Sequence, residues 1–462
     1  MRIGFIVDHP KRDLASGVML SAAFARRGFN TALIPMYEQG IDVPLLKLDA
    51  LIVNFARPAN IDLVRQYSNF GLPIWVLDTE GGVLADDGAN SPHRMAEYIR
   101  DSGYQSLLRG YFFWGETLRD AFAQYSGMRG DRLHVTGCPR FDYAAGSWRD
   151  ILKHHRKNYV LINANFPLVN PRFVESAKSE LGVLTAAGWP SDYVENLLND
   201  SKLIFKRYVD LVRTLAKRFP NKLFLLRPHP FENSSTYIEM MRGLQNVEVD
   251  GEGGVLNVIH NAECVLHLNC GTAIEAILLD KVPISMEFLN TKFMSQHSSL
   301  PSRVSYCISS QQALFEALED LGSIQSKFPF LLNHRKMIFP WFHTNDGKSS
   351  DRIAEVIVSG LSRTRLTKPK LSVRASLASS REHPRFGQRF QSLIANALGS
   401  KNSATIRAIF SSRRQDKILS RQMVAQEFDN VTRHSGQARE YKVKQARHPL
   451  TGFPLASLLI EK

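Results

Sequence analysis

The sequence has 462 residues, a net charge of +14, 44% hydrophobic residues and 22% charged residues, which is the composition of a globular chain long enough for two domains. No window approaches the roughly 20 apolar residues of a membrane-spanning helix, and the first residues have the pattern of a buried strand rather than of a signal peptide. The four cysteines lack CxxC spacing, which excludes a disulfide framework and predicts a protein of the reducing cytoplasm.

Short runs of β-branched and aromatic residues alternate with amphipathic stretches over residues 1–150. This alternation is typical of βαβ units, in which helices cover both faces of a parallel sheet. Residues 15–27, between the first two runs, have helical spacing and stop at Gly28. The predicted strands are 3–7, 31–35, 50–54, 74–77, 110–114 and 133–136.

A second set of elements follows the charged stretch 149–157, which we predict to be the crossing between domains. Helices are predicted at 201–219, 272–279 and 346–361. The pattern predicts an α/β protein with two Rossmann-like domains, 1–150 and 151–361, and a ligand cleft between them, because ligands bind at the carboxyl ends of parallel strands. The predicted strands of this second domain are 159–162, 223–226, 247–249, 264–268 and 283–286.

The positive charge lies in a tail, residues 362–462. From Leu361 onward there are 20 basic and 6 acidic residues, whereas the first 360 residues hold 38 of each. Residues 364–385 have the composition of a linker, and 386–398 and 406–428 are predicted as short amphipathic helices. The tail favours peripheral binding to an anionic membrane surface, with a solvated, partly disordered extension as the alternative. No nucleic-acid-binding motif is present.

Two carboxylates of the first domain are candidate catalytic groups. Asp78 and Glu80 follow a predicted strand in LDTEGG, where Gly81 and Gly82 allow a tight turn. Carboxylates at that end of a sheet suit a general base or a nucleophile. The alternative is that Asp78 only caps the turn.

Two loops of the second domain are candidates for binding a phosphate-containing donor. Arg227, His229 and Pro230 follow a strand in LLRPHPFE, where Arg can grip a phosphate in two-pronged fashion and His can donate to a leaving group. The turn of HLNCGTAIEA presents backbone amides at a helix start, a typical anion site. Its members are Asn269, Cys270, Gly271, Thr272 and Glu275; Thr272 and Glu275 also fit a capping box, in which case neither contacts a ligand.

Loops on either side of the crossing supply further polar side chains. Arg140 follows a Gly-Cys-Pro turn, and Asn163 and Asn165 follow the strand 159–162. We predict that they face the acceptor, although Asn side chains in such loops often only cap backbone groups. No spaced pair of aspartates suits a metal, since Asp86 and Asp87 are adjacent, so no metal or other cofactor is predicted.

Seven motifs occur in a fixed order over about residues 1–360: LDTEGG, FFWGE, VTGCPRFD, LINANF, RPHPFE, NCGTAIEA and DGKSSDRIA. This ordered set resembles the bacterial surface carbohydrate biosynthesis proteins. RPHP followed by a Gly-Thr helix turn is also similar to GT-B enzymes such as Kdo transferases and CDP-glycerol glycerophosphotransferases. The resemblance implies a GT-B-like fold and a role in capsule or lipopolysaccharide synthesis, with Asp78 or Glu80 on the acceptor side and Arg227, His229 and residues 269–272 on the donor side.

Together these features predict a glycosyltransferase that moves a sugar from a nucleotide-activated donor to a glycan or lipid-linked glycan acceptor. Two alternatives stay open. A nucleotide-sugar epimerase would use the same two domains without an acceptor, and a noncatalytic assembly factor would use the tail to dock onto a membrane or a synthase complex.

Overall fold

A computed structural model describes residues 1–79, 91–172, 190–297, 300–363, 397–409 and 412–462, together with residues 182, 185, 394 and 395. Every strand predicted from the sequence is present, and its ends are shifted by two residues at most. The strands are β1 Arg2–Val7, β2 Asn30–Pro35, β3 Ala50–Val53, β4 Ile74–Leu77, β5 Gly110–Phe113, β6 Leu133–Val135, β7 Tyr159–Asn163, β8 Phe224–Arg227, β9 Val247–Val249, β10 Ala262–His267, β11 Val282–Ser285, β12 Tyr306–Cys307, β13 Lys442–Arg447 and β14 Pro454–Glu461.

Helices connect these strands, and none of the described helices has the length and hydropathy to cross a membrane. The longest begins ten residues before its predicted start, because residues 191–200 continue the same apolar stripe with buried Val194, Leu197 and Leu198. The α-helices are α1 Pro10–Ala25, α2 Gln39–Asp42, α3 Ile61–Asn69, α4 Pro92–Asp101, α5 Tyr104–Leu107, α6 Glu116–Tyr125, α7 Pro139–Asp142, α8 Ser191–Arg218, α9 Ser234–Met240, α10 Val255–His260, α11 Thr272–Leu278, α12 Lys292–His297, α13 Leu300–Arg303, α14 Gln311–Glu319, α15 Leu321–Lys327, α16 Phe330–Asn333, α17 Ser349–Arg363, α18 Ser400–Ile409, α19 Ser412–Gln415 and α20 Arg421–Ser435.

The first compact unit contains an eight-stranded sheet in the order β13-β14-β2-β1-β3-β4-β5-β6. The strands from β2 to β6 are parallel. Their side chains are almost all buried, as expected for strands that helices cover on both faces. This part of the sheet is the predicted first Rossmann-like domain.

The second unit contains a six-stranded sheet in the order β12-β11-β10-β7-β8-β9, and all its pairings are parallel. Among the described residues this unit spans 152–339. Its core is formed by the apolar runs of β7, β8 and β10, against which α8 packs the side chains of Ile204, Tyr208 and Leu211. Two parallel sheets, each in its own unit, confirm the predicted α/β class with two Rossmann-like domains.

The C-terminal residues are grouped differently from the predicted division at 150 and 361. Residues 340–462 belong to the first unit, and 152–339 form the second. The reason is strand pairing: β14 lies antiparallel to β2, with Leu458 opposite Leu33, and β13 pairs with β14. The end of the chain thus extends the first sheet. The predicted helix 386–398 falls mostly outside the described residues.

A buried carboxylate anchors this C-terminal addition. Asp42, which is fully buried, accepts hydrogen bonds from the hydroxyl of Ser400 at 2.5 Å, and from the backbone N–H and hydroxyl of Ser457 at 2.8 and 2.6 Å. The Ser400 hydroxyl also accepts from the backbone N–H of Ala456 at 2.7 Å. One carboxylate therefore joins α2, the start of α18 and β14.

Three cations of the basic tail form ion pairs within the first unit. Arg407 and Arg414 lie beside the buried carboxylate of Glu38, and Lys417 pairs with Asp8. Lys417 itself is only 7% exposed. The sequence predicted that the positive charge of the tail binds an anionic membrane surface, or else lies on a solvated extension. Part of this charge is instead paired with acidic residues of the N-terminal half.

A second buried carboxylate fixes helix α17. Asp142 accepts hydrogen bonds from the backbone N–H groups of Ser349 and Ser350, both at 2.9 Å, and from the Ser350 hydroxyl at 2.8 Å. Gly137 lies beside this contact with a φ of +79°, and a Cβ there would meet the Ser349 Oγ at 2.5 Å. Two of the sequence motifs, VTGCPRFD and DGKSSDRIA, are therefore in direct contact.

We expect Asp42→Ala to lower the free energy of unfolding by about 1–3 kcal/mol, because the substitution leaves buried serine donors without an acceptor. Urea denaturation followed by circular dichroism measures this change. Asp62→Ala is the matched control, because the Asp62 side chain is 77% exposed and forms a surface ion pair with exposed Arg65. Equal stability of the two variants would show that Asp42 does not anchor the C-terminal strands.

The same carboxylate predicts a pH dependence. Burial raises the pKa of Asp42 to about 6, although hydrogen bonds from Ser400 and Ser457 oppose the shift. The folded state then binds more protons than the unfolded state between about pH 4 and 6, so the contribution of Asp42 to stability falls as the pH rises through that window. Because Asp42→Asn cannot titrate, the stability advantage of the wild type over this variant should shrink from about pH 4 to 6. An advantage that stays constant or grows would contradict the raised pKa.

Candidate functional site

The second sheet changes its winding direction between β7 and β10. From β7 the chain adds β8 and β9 on one side, whereas β10, beside β7, continues to β11 and β12 on the other. The connections after these two neighbouring strands therefore leave in opposite directions. In open parallel sheets, the crevice at the carboxyl ends of such strands is where ligands bind.

The carboxyl end of β7 carries two asparagines at this crevice. Asn163 is 4% exposed, and its Nδ2 has no hydrogen-bond partner among the described residues. A buried amide without a partner costs about 1–3 kcal/mol, which a ligand with an acceptor oxygen would recover. Asn165 donates from its Nδ2 to the carbonyl oxygen of Asn269 at 3.4 Å and so joins the ends of β7 and β10.

Asn269 turns the chain from β10 towards α11. Its φ is +49°, in the left-handed region that asparagine tolerates, and its side-chain amide exchanges two hydrogen bonds with that of Asn290, at 3.0 and 3.1 Å. Helix α11 begins at Thr272 with Gly271 as N-cap, and no side chain caps it. The capping box suggested by the sequence is therefore not formed, because Thr272 is already the first helical residue.

The turn residues Cys270, Gly271 and Thr272 are partly exposed, whereas the helix that follows them is buried. Glu275 is 7% exposed and lies in the first turn of α11, and Ala273 to Leu278 are all buried. Burial raises the pKa of the Cys270 thiol, which disfavours the thiolate that a nucleophile requires. A packing role for Cys270, rather than covalent chemistry, fits this environment.

Arg227, at the end of β8, is paired with Asn163 in the sheet register. Its two terminal nitrogens donate to the carbonyl oxygens of Glu252 and Gly253, both at 2.8 Å, and the residue is 7% exposed. Burial lowers the pKa of Arg227, opposed by the charges of Asp250 and Glu275. The sequence suggested that the guanidinium of Arg227 binds a phosphate through two nitrogens. In the structure both nitrogens instead bind the backbone that precedes α10.

The RPHPFE loop is organised by a buried glutamate. Glu232 is 1% exposed and accepts hydrogen bonds from the backbone N–H of His229 at 2.7 Å and from the Tyr237 hydroxyl at 2.5 Å. Burial raises the pKa of Glu232 to about 7. The Nδ1 of His229 accepts from the N–H of Phe231 at 3.2 Å, so the neutral ring carries its hydrogen on Nε2. Pro230 lies between these two hydrogen-bonded residues.

The structure divides the residues predicted to face the acceptor. Asn163 and Asn165 lie in the second unit with Arg227 and Asn269, whereas Asp78 and Arg140 lie in the first. Glu80, Gly81 and Gly82 fall outside the described residues. The residues that the sequence assigned to the acceptor are therefore distributed over both units.

The two described candidates of the first unit have defined surroundings. Asp78 is 1% exposed at the end of β4, with its carboxylate oxygens 3.4 Å from Arg57 Nη2 and from the Tyr111 hydroxyl. Arg140 stacks its guanidinium over the ring of Phe141, 4.8 Å from the centroid. Asp78 is therefore a buried carboxylate held by polar contacts at the end of β4. The charge of Arg140 is stabilised by an aromatic ring.

Sequence reasoning missed a charged cluster at the corresponding point of the first sheet, where β1 lies between β2 and β3. Asp8 accepts from Arg12 at 2.6 Å and pairs with Lys417, while Asp13 accepts from Arg12 Nε at 2.8 Å and from the His9 N–H at 2.9 Å. Burial, together with the charge of Lys417, lowers the pKa of His9 to about 4. The signal available in the sequence was DHPKR directly after the first strand.

Neither a protein-family model nor a curated protein sequence matches the chain. Solved structures with a similar fold include UDP-GlcNAc 2-epimerase of Methanocaldococcus jannaschii in complex with UDP-GlcNAc and UDP, at 12% identity and a TM-score of 0.45, covering 78% of this chain and 100% of that one. The Neisseria meningitidis epimerase bound to UDP-GlcNAc has the same identity and coverages, with a TM-score of 0.46.

The wall teichoic acid polymerase TagF is also similar, at 12% identity and a TM-score of 0.43, over 68% of this chain and 74% of that one. Identities near 12% and TM-scores below 0.5 assign no activity to this chain, which has to be inferred from its own residues.

We expect Arg227→Lys to loosen residues 250–254, because a single ammonium cannot hold two carbonyl oxygens that the planar guanidinium bridges. Hydrogen–deuterium exchange of these amides should become faster by about tenfold or more, which corresponds to the loss of about one hydrogen bond to a charged donor. Arg218→Lys, in the exposed pair with Glu319, is the control. Unchanged exchange in the Arg227 variant would mean that the loop is held by other contacts.

Proposed function

We propose that this protein is a glycosyltransferase of surface polysaccharide synthesis, whose second unit binds the nucleotide part of an activated sugar at the β7–β10 crevice. The observation that carries the proposal is the buried Asn163 amide at the point where the second sheet changes direction. A phosphate or ribose oxygen of the donor would accept from its Nδ2. The sequence motifs around this point, LINANF and NCGTAIEA, supply the polar side chains of the same crevice.

Each donor-side residue has a different proposed role, which its contacts support. Asn163 contacts the donor, and Asn165 with Asn269 holds the two strand ends at a fixed separation. His229 carries its hydrogen on Nε2 and would donate to the leaving phosphate. Arg227 acts as a positioning residue through the carbonyl oxygens it holds, and its buried charge contributes to the potential at the crevice.

On the acceptor side, the proposal retains Asp78 as the group that deprotonates the acceptor hydroxyl or attacks the sugar. Its contacts with Arg57 and Tyr111 hold the carboxylate at the carboxyl end of β4. Glu80, two residues further on, is the second candidate of the same motif. The proposed acceptor is a glycan or a lipid-linked glycan.

Nucleotide binding by Asn163 is the first test. A thermal-shift screen of the purified protein against CMP, CDP, UDP, GDP and dTDP should show stabilisation by one of them, about 2.7 kcal/mol when the ligand is at about 100 times its Kd. Asn163→Leu should lose this stabilisation. The variant's own stability should not fall, because an apolar side chain of similar size removes a buried polar group that lacks a partner.

Asn257→Ala is the control, since the Asn257 amide donates to the Lys153 carbonyl oxygen at 2.9 Å in the same unit, at an exposed position. Stabilisation that survives in the Asn163 variant would remove the β7–β10 crevice from the proposal. Turnover of the identified nucleotide sugar without any acceptor would identify an epimerase instead. Nucleotide binding combined with undiminished polysaccharide synthesis by Asp78→Ala would favour a noncatalytic assembly factor.

A further inference from the structure

Two consecutive histidines and an aspartate converge at the start of the second unit. His154 and His155 precede β7, and Asp250 follows β9. His154 Nε2 lies 3.0 Å from Asp250 Oδ2, and His155 Nδ1 lies 3.9 Å from the same oxygen. One ligand atom from each residue lies within 4.8 Å of the other two. Three donor atoms at these separations can surround one ion with bonds of about 2.0–2.2 Å after small side-chain shifts.

His155 has an acceptor for the hydrogen on the ring nitrogen that would not bind the ion. Its Nε2 lies 2.7 Å from Glu248 Oε1, which is the carboxylate–histidine arrangement found behind metal ligands. The Nδ1 of His154 accepts from the backbone N–H of Arg156 at 3.1 Å, so the neutral ring carries its hydrogen on Nε2, next to Asp250. Binding of an ion at Nε2 would move that hydrogen to Nδ1, where the Arg156 carbonyl oxygen lies at 3.3 Å. The Glu248 contact distinguishes the cluster from an isolated His–Asp pair.

Two carboxylates lie at the cluster. Asp250 Oδ2 is the oxygen next to the ring nitrogens of both histidines, whereas Glu248 contacts the outer nitrogen of His155 and accepts from Arg156 Nε at 2.7 Å. The two histidines, Asp250 and Glu248 therefore form one connected set of contacts.

We propose that His154, His155 and Asp250 form a binding site for a divalent metal ion of the zinc type. A set of two imidazoles and one carboxylate binds zinc, cobalt or nickel in preference to magnesium or calcium. Three such ligands leave one position of a tetrahedral site for water. The His155 side chain is 57% exposed, which provides an entry path. The ion would hold the segment before β7 against the end of β9.

The site would also be linked to the donor crevice through one short loop. Asp250 Oδ1 accepts from the Glu252 N–H at 2.7 Å, and the Glu252 carbonyl oxygen accepts from Arg227. An ion on Asp250 therefore restrains the same residues that Arg227 restrains. The metal site itself rests on its own ligand atoms and does not depend on the proposed sugar transfer.

Calorimetric titration of the chelator-treated full-length protein with zinc chloride tests the site. The wild type should bind one ion tightly, His155→Ala should lose this binding, and Glu248→Gln should weaken it about 10–100-fold, the usual effect of removing an outer-shell partner. His93→Ala is the matched control, because His93 forms an ordinary exposed pair with Glu97 at 3.0 Å. Since the His155 side chain is exposed, its removal should leave the fold intact, which circular dichroism verifies.

Cobalt provides the second readout. Cobalt bound to nitrogen and oxygen should give visible bands without the intense near-ultraviolet absorption of a thiolate complex, and these bands should be absent in His155→Ala. Three results would overturn the proposal: no tight zinc binding by the wild type, equal binding by the wild type and His155→Ala, or thiolate absorption, which would place the ion on a cysteine such as the exposed Cys307.

Discussion

Two buried carboxylates, Asp42 and Asp142, determine how the first unit is completed. A buried charge is tolerated only where hydrogen bonds replace its hydration, and in both cases the donors are serines of the C-terminal segment. Ser400 and Ser457 donate hydrogen bonds to Asp42, and Ser349 and Ser350 donate hydrogen bonds to Asp142. These partners are separated by between about 200 and 415 residues. The first unit therefore cannot reach its final form until the end of the chain has folded onto its beginning, a pattern of contacts that slows folding.

The sequence predicted the strands of the two parallel sheets but missed β13 and β14, for two different physical reasons. The parallel strands are buried on both faces, so each appears as a continuous apolar run such as IWVL at β4. β13 is an edge strand with alternating exposed lysines, KVKQAR, which from composition alone resembles a solvated basic segment. β14 is apolar, but its partner β2 lies more than 400 residues earlier, and no local pattern reveals such a pairing.

The sequence predicted that Arg227 and Asn163 lie at strand ends, but it did not predict their contacts, and it assigned Asn163 to the acceptor rather than to the donor. Arg227 and Asn163 were identifiable because they end strands of a parallel sheet, where ligands bind. Arg227 holds the backbone of residues 252 and 253, and Asn163 Nδ2 has no hydrogen-bond partner in the part of the chain that the structure describes. Both facts depend on loop geometry that residue type does not specify. Asp8 and Arg12 were missed for a related reason: their significance depends on Lys417, which reaches them from the far end of the chain.

Some of the motifs that resemble surface carbohydrate biosynthesis proteins are explained by folding contacts alone, without any role in catalysis or binding. VTGCPRFD and DGKSSDRIA are explained by their mutual contact, because Asp142 needs the Ser349 and Ser350 donors and Gly137 makes room for them. RPHPFE is explained in part by Glu232, which fixes the loop from inside. Packing does not explain the Asn163 amide at the end of β7, which is buried and has no hydrogen-bond partner among the described residues. A residue whose burial and polarity are not explained by folding contacts is the best candidate for binding a ligand. Asn163 is such a residue among those that the structure describes.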